Sequence, residues 1–115
     1  MWNGRVVPVD ERRPVELDKI IHERARLMIL TYLTGLEKDT ASFQEIKDAL
    51  ELTSGNLSVQ LKNLEQAGYI AIEKRFLDNR PVTEARLTPE GSMALTQYLD
   101  EMERIIHAAR KSAAE

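Results

Sequence analysis

The 115-residue chain has no cysteine, which excludes disulfides, thiolate metal sites and cysteine nucleophiles. Aromatic residues make up 5% of it, too few for a base-stacking platform along single-stranded nucleic acid. Its five glycines (4, 35, 55, 68 and 91) are scattered, so no phosphate-cradling loop is present, and neither is a GxSxG or HExxH pattern. The longest apolar runs, 27–30 and 69–72, fall far short of the ~20 residues of a membrane span. The first 14 residues hold no signal-length apolar stretch, so a cytoplasmic location and no membrane partner are expected. Excess positive charge is also missing: the net charge is −3. Any nucleic-acid contact must therefore come from a few well-placed cations. No catalytic residue, metal set or cofactor is expected, and the chain is not expected to be an enzyme.

What is present is a regular succession of caps, apolar faces and turns. Residues 1–14, with Pro8, Pro14, Arg5, Arg12, Arg13 and Trp2, predict an extended arm. From Val15 to Leu33 the apolar phase shifts near His22 and Glu23, predicting a short helix, a break and a second helix that ends at Gly35. Ser42-Phe43-Gln44-Glu45 is a capping box that opens a helix over 42–50. A tight connection over 51–53 leads to a helix over 54–67, capped by Thr53 or Ser54 and stopped at Gly68. Residues 69–76 and 82–87 predict two strands joined by the turn residues 77–81. Thr88-Pro89-Glu90 then starts a long helix, with a cap, a proline at its first position and an acid in its first turn.

Two helices joined by a three-residue turn form a helix-turn-helix, and the hairpin behind them is a wing. The segments 21–27 (IHERARL), 52–61 (LTSGNLSVQL) and 87–91 (LTPEG) resemble compact winged-helix transcription regulators of the ArsR/MarR type, the single-domain DNA-binding subgroup above all. The resemblance covers about residues 16–100. The expected fold is mainly α with a small β-hairpin (α+β). It comprises a winged helix-turn-helix over 15–87, with recognition helix 54–67 and wing 69–87, and a C-terminal dimerisation helix over 88–115.

A recognition helix needs an apolar face to hold it and a small polar face to read base edges. At about 100° per residue, Leu57, Leu61 and Leu64 share the inner face. Thr53, Ser54, Gly55, Asn56, Ser58, Val59, Gln60, Lys62 and Asn63 are the expected DNA contacts on the recognition helix. Short side chains permit close approach, the Asn and Gln amides suit adenine, and Lys62 suits guanine or phosphate. On the wing the candidates are Lys74, Arg75, Asn79 and Arg80. The related regulators carry a second wing arginine in an Arg-Pro-Arg-Thr pattern. This chain has Arg80-Pro81-Val82-Thr83, then Glu84, which weakens the wing's charge.

The last helix would span about 35 Å, longer than the domain needs, and its apolar positions nearly form a heptad seam. Leu95, Leu99, Met102, Ile105 and Ile106 are therefore expected at a homodimer interface. The resembling regulators pair through their terminal helices, which adds Leu17, Ile20 and Ile21. Metal-sensing members use cysteines or a His/Asp cluster on the last helix, and Asp100 with His107 does not supply enough ligands. The sequence thus predicts a homodimeric regulator bound to an inverted-repeat operator in double-stranded DNA, with no small-molecule effector indicated. The rival is a winged-helix module that binds protein instead of DNA.

Overall fold

The computed structural model describes residues 14–114. The arm expected over the first 14 residues, Pro14 excepted, lies outside them. The chain forms α1 (Arg24–Thr34), β1 (Thr40–Ser42), α2 (Phe43–Leu50), α3 (Ser54–Gln66), β2 (Ile70–Leu77), β3 (Arg80–Leu87) and α4 (Pro89–Ala114).

Before α1 the expected short helix is replaced by a single turn. Asp18 is the reason: its Oδ1 accepts from the amides of Ile20 at 2.8 Å and Ile21 at 3.2 Å, while its carbonyl accepts from His22 at 2.8 Å. A side chain that competes for local amides closes a turn at the expense of a helix. Glu23 then caps α1 by accepting from the Arg26 amide at 2.9 Å.

The capping box forms as the sequence predicts. Ser42 Oγ accepts from the Glu45 amide at 3.1 Å, and Glu45 accepts from the Ser42 amide at 2.8 Å. Glu51, in the left-handed region at φ 54°, turns the chain tightly out of α2, and Thr53 caps α3 by accepting from the Asn56 amide at 3.1 Å. Gly68 ends the α3 turn with φ 83°, a conformation that glycine adopts without a Cβ penalty.

The wing belongs to a three-stranded antiparallel sheet in the order β1-β3-β2. Its turn, Asp78-Asn79, has positive φ at both residues (52° and 63°), the two-residue hairpin connection whose twist matches its strands. β1 is three residues long, too short to show alternation in the sequence, and it pairs Ala41 with Ala85.

One core joins all these elements. Ile29, Leu30 and Leu33 of α1, Ile46 of α2, and Leu57 and Leu64 of α3 are fully buried, with Ile70, Leu87, Leu95 and Tyr98 closing it. At roughly 1.5–3 kcal/mol per buried side chain, this layer holds α3 in place from behind. Thr88 fastens α4 to the end of α3: its amide donates to the Tyr69 carbonyl at 3.1 Å and its hydroxyl to the Gly68 carbonyl at 2.7 Å.

Tyr69 is tied at its other end, where its phenol donates to Asp18 Oδ2. That hydrogen bond to a carboxylate, with burial and the carboxylate's charge, pushes the phenol pKa up to about 12, against about 10 in an unfolded chain. The fold therefore favours the protonated phenol. This stabilisation is complete below about pH 10 and is lost as pH rises through about 12. Tyrosinate absorbance should show a last ionisation near pH 12 that is missing from Tyr69→Phe. A last step unchanged in that variant would assign it to another phenol.

Candidate nucleic-acid interface

α3 is sharply two-sided. Leu57, Leu61 and Leu64 face the core, while Thr53, Ser54, Gly55, Asn56, Ser58, Val59 and Lys62 are exposed, and Gln60 and Asn63 are half-buried. A Cβ added at Gly55 would meet nothing within 4 Å, so nothing inside the domain requires glycine there. Glycine in a helix costs about 1 kcal/mol relative to alanine.

The polar side chains of this face are partly committed. Asn56 Oδ1 accepts from Gln60 Nε2 at 3.0 Å, and Gln60 Oε1 accepts from an Arg26 guanidinium nitrogen at 2.7 Å. Arg26 is held in turn by the Ile20 carbonyl. Gln60, expected as a base reader, thus points along the protein surface toward α1. The sequence gives no local signal of this, because Arg26 lies 34 residues away.

On the wing, cross-strand pairing sorts the cations by face. Lys74 pairs with Thr83, two positions from the Ile72–Ala85 pair that faces the core, and so lies on the same face of the sheet. Lys74 and Thr83 line a groove of about 330 Å³ with Ser58, Lys62 and Glu65 of α3. Arg75 lies on the other face, bound to Glu84 at 3.1 Å, and Arg86 lies 3.8 Å from Glu73. Such exposed pairs are worth at most about 1 kcal/mol, so they dilute the wing's charge without locking it. Among the described residues Lys62, Lys74 and Arg80 have no ion pair. Asn79 is a turn residue at φ 63°. Phe76 and Leu77, 76% and 52% exposed, make the wing tip apolar.

The residues expected at the dimer interface separate into two groups. Ile21 and Leu95 are buried in the domain's own core at 0% and 4% exposure, which removes them from any surface open to a second chain. Leu17, Ile20 and Met102 are half-buried against that core, and Ile105 is half-buried. Leu99 and Ile106 remain 43% and 44% exposed. Farther along α4 the buried positions are Glu101, Arg104 and Ala108, with Glu101 and Arg104 paired at 2.6 Å. Reading apolar side chains alone could not find that charged face. His22 Nδ1 lies 2.7 Å from the Tyr98 hydroxyl, a link between the turn and α4. Among the described residues no group of three or more His, Cys, Asp or Glu could hold a metal ion, and no helix is long and apolar enough to cross a membrane.

A helix-turn-helix carried on a three-stranded sheet, with a β-hairpin after the second helix, is a winged helix, and residues 25–106 match the family described as winged helix DNA-binding domain. The chain belongs to that family, whose fold is that of transcription regulators and not of enzymes. An uncharacterised protein of Methanocaldococcus jannaschii is 36% identical over 84 residues, 73% of this chain and 89% of that protein. A transcriptional regulator homologue from Pyrococcus horikoshii superposes with a TM-score of 0.70 at 30% identity, covering 76% of this chain and 84% of its own. A MarR family transcriptional regulator from Streptomyces coelicolor, solved in complex with DNA, shares the fold with a TM-score of 0.66 at 20% identity, over 82% of this chain and 62% of its own.

Proposed function

We propose that the chain is a homodimeric, sequence-specific regulator that acts on double-stranded DNA. In this reading α3 enters the major groove, and the wing lies on the backbone or in the adjacent minor groove. The observation that carries it is the outer face of α3. This face is small and polar, has a glycine that packing does not demand, and carries Lys62 with Lys74 across a shared groove, both without ion pairs among the described residues. The DNA complex of the Streptomyces regulator supports the docking of this fold on a duplex. Leu99 and Ile106, with Met102 between them, form the stripe on which a second copy pairs.

Two symmetry-related recognition helices contact half-sites about one helical turn apart, roughly 34 Å. Selection from a pool of random-sequence duplexes should therefore return an inverted repeat. An unselected pool, with no enrichment over many rounds, would contradict the proposal.

Reading and anchoring should separate by mutation. Asn56→Ala is expected to weaken the selected duplex by about 1–3 kcal/mol and a scrambled one hardly at all, because base edges in the major groove differ for every pair. Arg80→Ala is expected to weaken both alike, since phosphate and minor-groove contacts carry little sequence information. Equal losses for Asn56→Ala on both duplexes would assign it to folding or anchoring.

A second reading has one observation behind it. The apolar wing tip, Phe76 and Leu77, on a chain of net charge −3, suits a protein partner. It predicts no duplex binding even at low salt.

A further inference from the structure

We propose that Arg26, outside the helix-turn-helix, sets which hydrogen-bonding group Asn56 presents to DNA, through Gln60. This rests on the DNA-binding reading above and goes further, to the specificity of one base contact.

The polarity of the chain of hydrogen bonds follows from chemistry. A guanidinium has donors only. The atom of Gln60 that meets Arg26 at 2.7 Å must therefore be its carbonyl oxygen, which directs its amide nitrogen at Asn56. The atom of Asn56 that meets this donor at 3.0 Å must in turn be Oδ1. Reversing either amide would set donor against donor. The Asn56 Nδ2 group is left over: the side chain is exposed, and Nδ2 makes no hydrogen bond among the described residues.

Asn56 consequently offers DNA a donor. A donor matches the N7 and O6 of guanine, the N7 of adenine or the O4 of thymine; cytosine shows the major groove only a donor of its own. One position in each half-site should therefore discriminate against cytosine. Arg26 is a positioning residue here. It is half-buried and held at the Ile20 carbonyl, and that carbonyl sits on the turn whose amides Asp18 gathers. The orientation is set before DNA arrives.

Gln60→Glu tests this without removing a side chain. A carboxylate at position 60 still accepts from Arg26, but it offers Asn56 only an acceptor. The Asn56 amide must then turn over, putting Nδ2 toward residue 60 and Oδ1 outward. Duplex selection with the intact protein and with the variant should show one position per half-site changing from exclusion of cytosine to preference for it. The change in relative preference should be roughly ten-fold, with the other positions retained. The added charge lowers affinity for every sequence, so relative preference is the readout. Arg26→Met should flatten the preference at the same position, and Arg26→Lys, which keeps a donor, should restore part of it.

Side-chain amide resonances of the ¹⁵N-labelled protein without DNA give a second readout. The Asn56 amide protons should shift in Gln60→Glu as Nδ2 gains a carboxylate acceptor. An unchanged preference in both Gln60→Glu and Arg26→Met, with binding intact, overturns the relay and leaves the DNA reading standing. No duplex binding by any of the proteins overturns both as statements about specificity. The amide shift then identifies the failure as one of DNA binding, because the hydrogen-bond chain itself is still present.

Discussion

Leu99→Asp combined with Ile106→Asp should convert a dimer into a folded monomer. The two side chains lie two helical turns apart on α4, 43% and 44% exposed, with Met102 half-buried between them. Neither belongs to the domain's core, so the domain itself should keep its helical circular dichroism. Burying a side chain of this size contributes roughly 1.5–3 kcal/mol, and a two-fold axis counts each position twice. Only part of such a sum appears as affinity, because association also costs translational and side-chain freedom. Four carboxylates forced into one apolar seam remove the gain and add repulsion, so the dimer constant should weaken by more than a thousand-fold. Affinity for a two-half-site duplex should fall with it, because the second half-site then has to recruit its own protein molecule. Sedimentation velocity checks the mass. A variant that keeps the dimer mass would place the interface elsewhere on the chain.

Gly91→Ala should cost more than any other single methyl added to a glycine in the described residues. A Cβ there would lie 2.1 Å from the Tyr69 carbonyl oxygen, 2.9 Å from its carbon and 3.0 Å from Leu87 Cδ1. Two of these atoms are backbone and cannot rotate away. The contact is close because Thr88 binds the Gly68 and Tyr69 carbonyls and its hydroxyl also accepts from the Gly91 amide at 3.0 Å. Room for a methyl would have to come from breaking those bonds and tilting α4. Overpacking typically costs 1–3 kcal/mol and occasionally more. With rigid atoms on one side the loss should be about 3 kcal/mol or above, a large part of the 5–15 kcal/mol that domains possess. The better helix propensity of alanine returns only about 1 kcal/mol. Gly55→Ala is the control. With open space around its Cβ it should hold or raise the melting temperature, yet weaken duplex binding. Equal melting temperatures for Gly91→Ala and the unchanged protein would refute the packing argument.

These two glycines also show what could be read from the sequence. Caps are local, so the box at Ser42 and Glu45, the Thr53 cap and the Gly68 stop were legible, and with them the whole helix-turn-helix. The hairpin was legible from its turn residues, Asp78 and Asn79. β1 was not, because three residues carry no period and the strand exists only by pairing with β3. The turn at Asp18 was hidden for a different reason: an apolar stripe through Leu17, Ile20 and Ile21 looks helical until a carboxylate takes the local amides. At the interface, the amino-acid types on α3 identified the outward face. Which way Gln60 turns depended on an arginine 34 residues away, beyond any local pattern. On α4 the stripe was legible only in part. Helix periodicity alone does not distinguish Leu95, taken by the core, from Leu99, left exposed.

The claim at the centre is that the outer face of α3 meets duplex DNA. Backbone amide shifts of the ¹⁵N-labelled protein, followed as a duplex is added at low salt, test it most directly. The largest changes should fall on Ser54, Gly55, Asn56, Ser58, Val59 and Lys62, with a second set at Lys74 and Arg80 and little change along α4 beyond Tyr98. Saturating duplex that leaves the α3 resonances in place, or moves only those of α2 and α4, would contradict it.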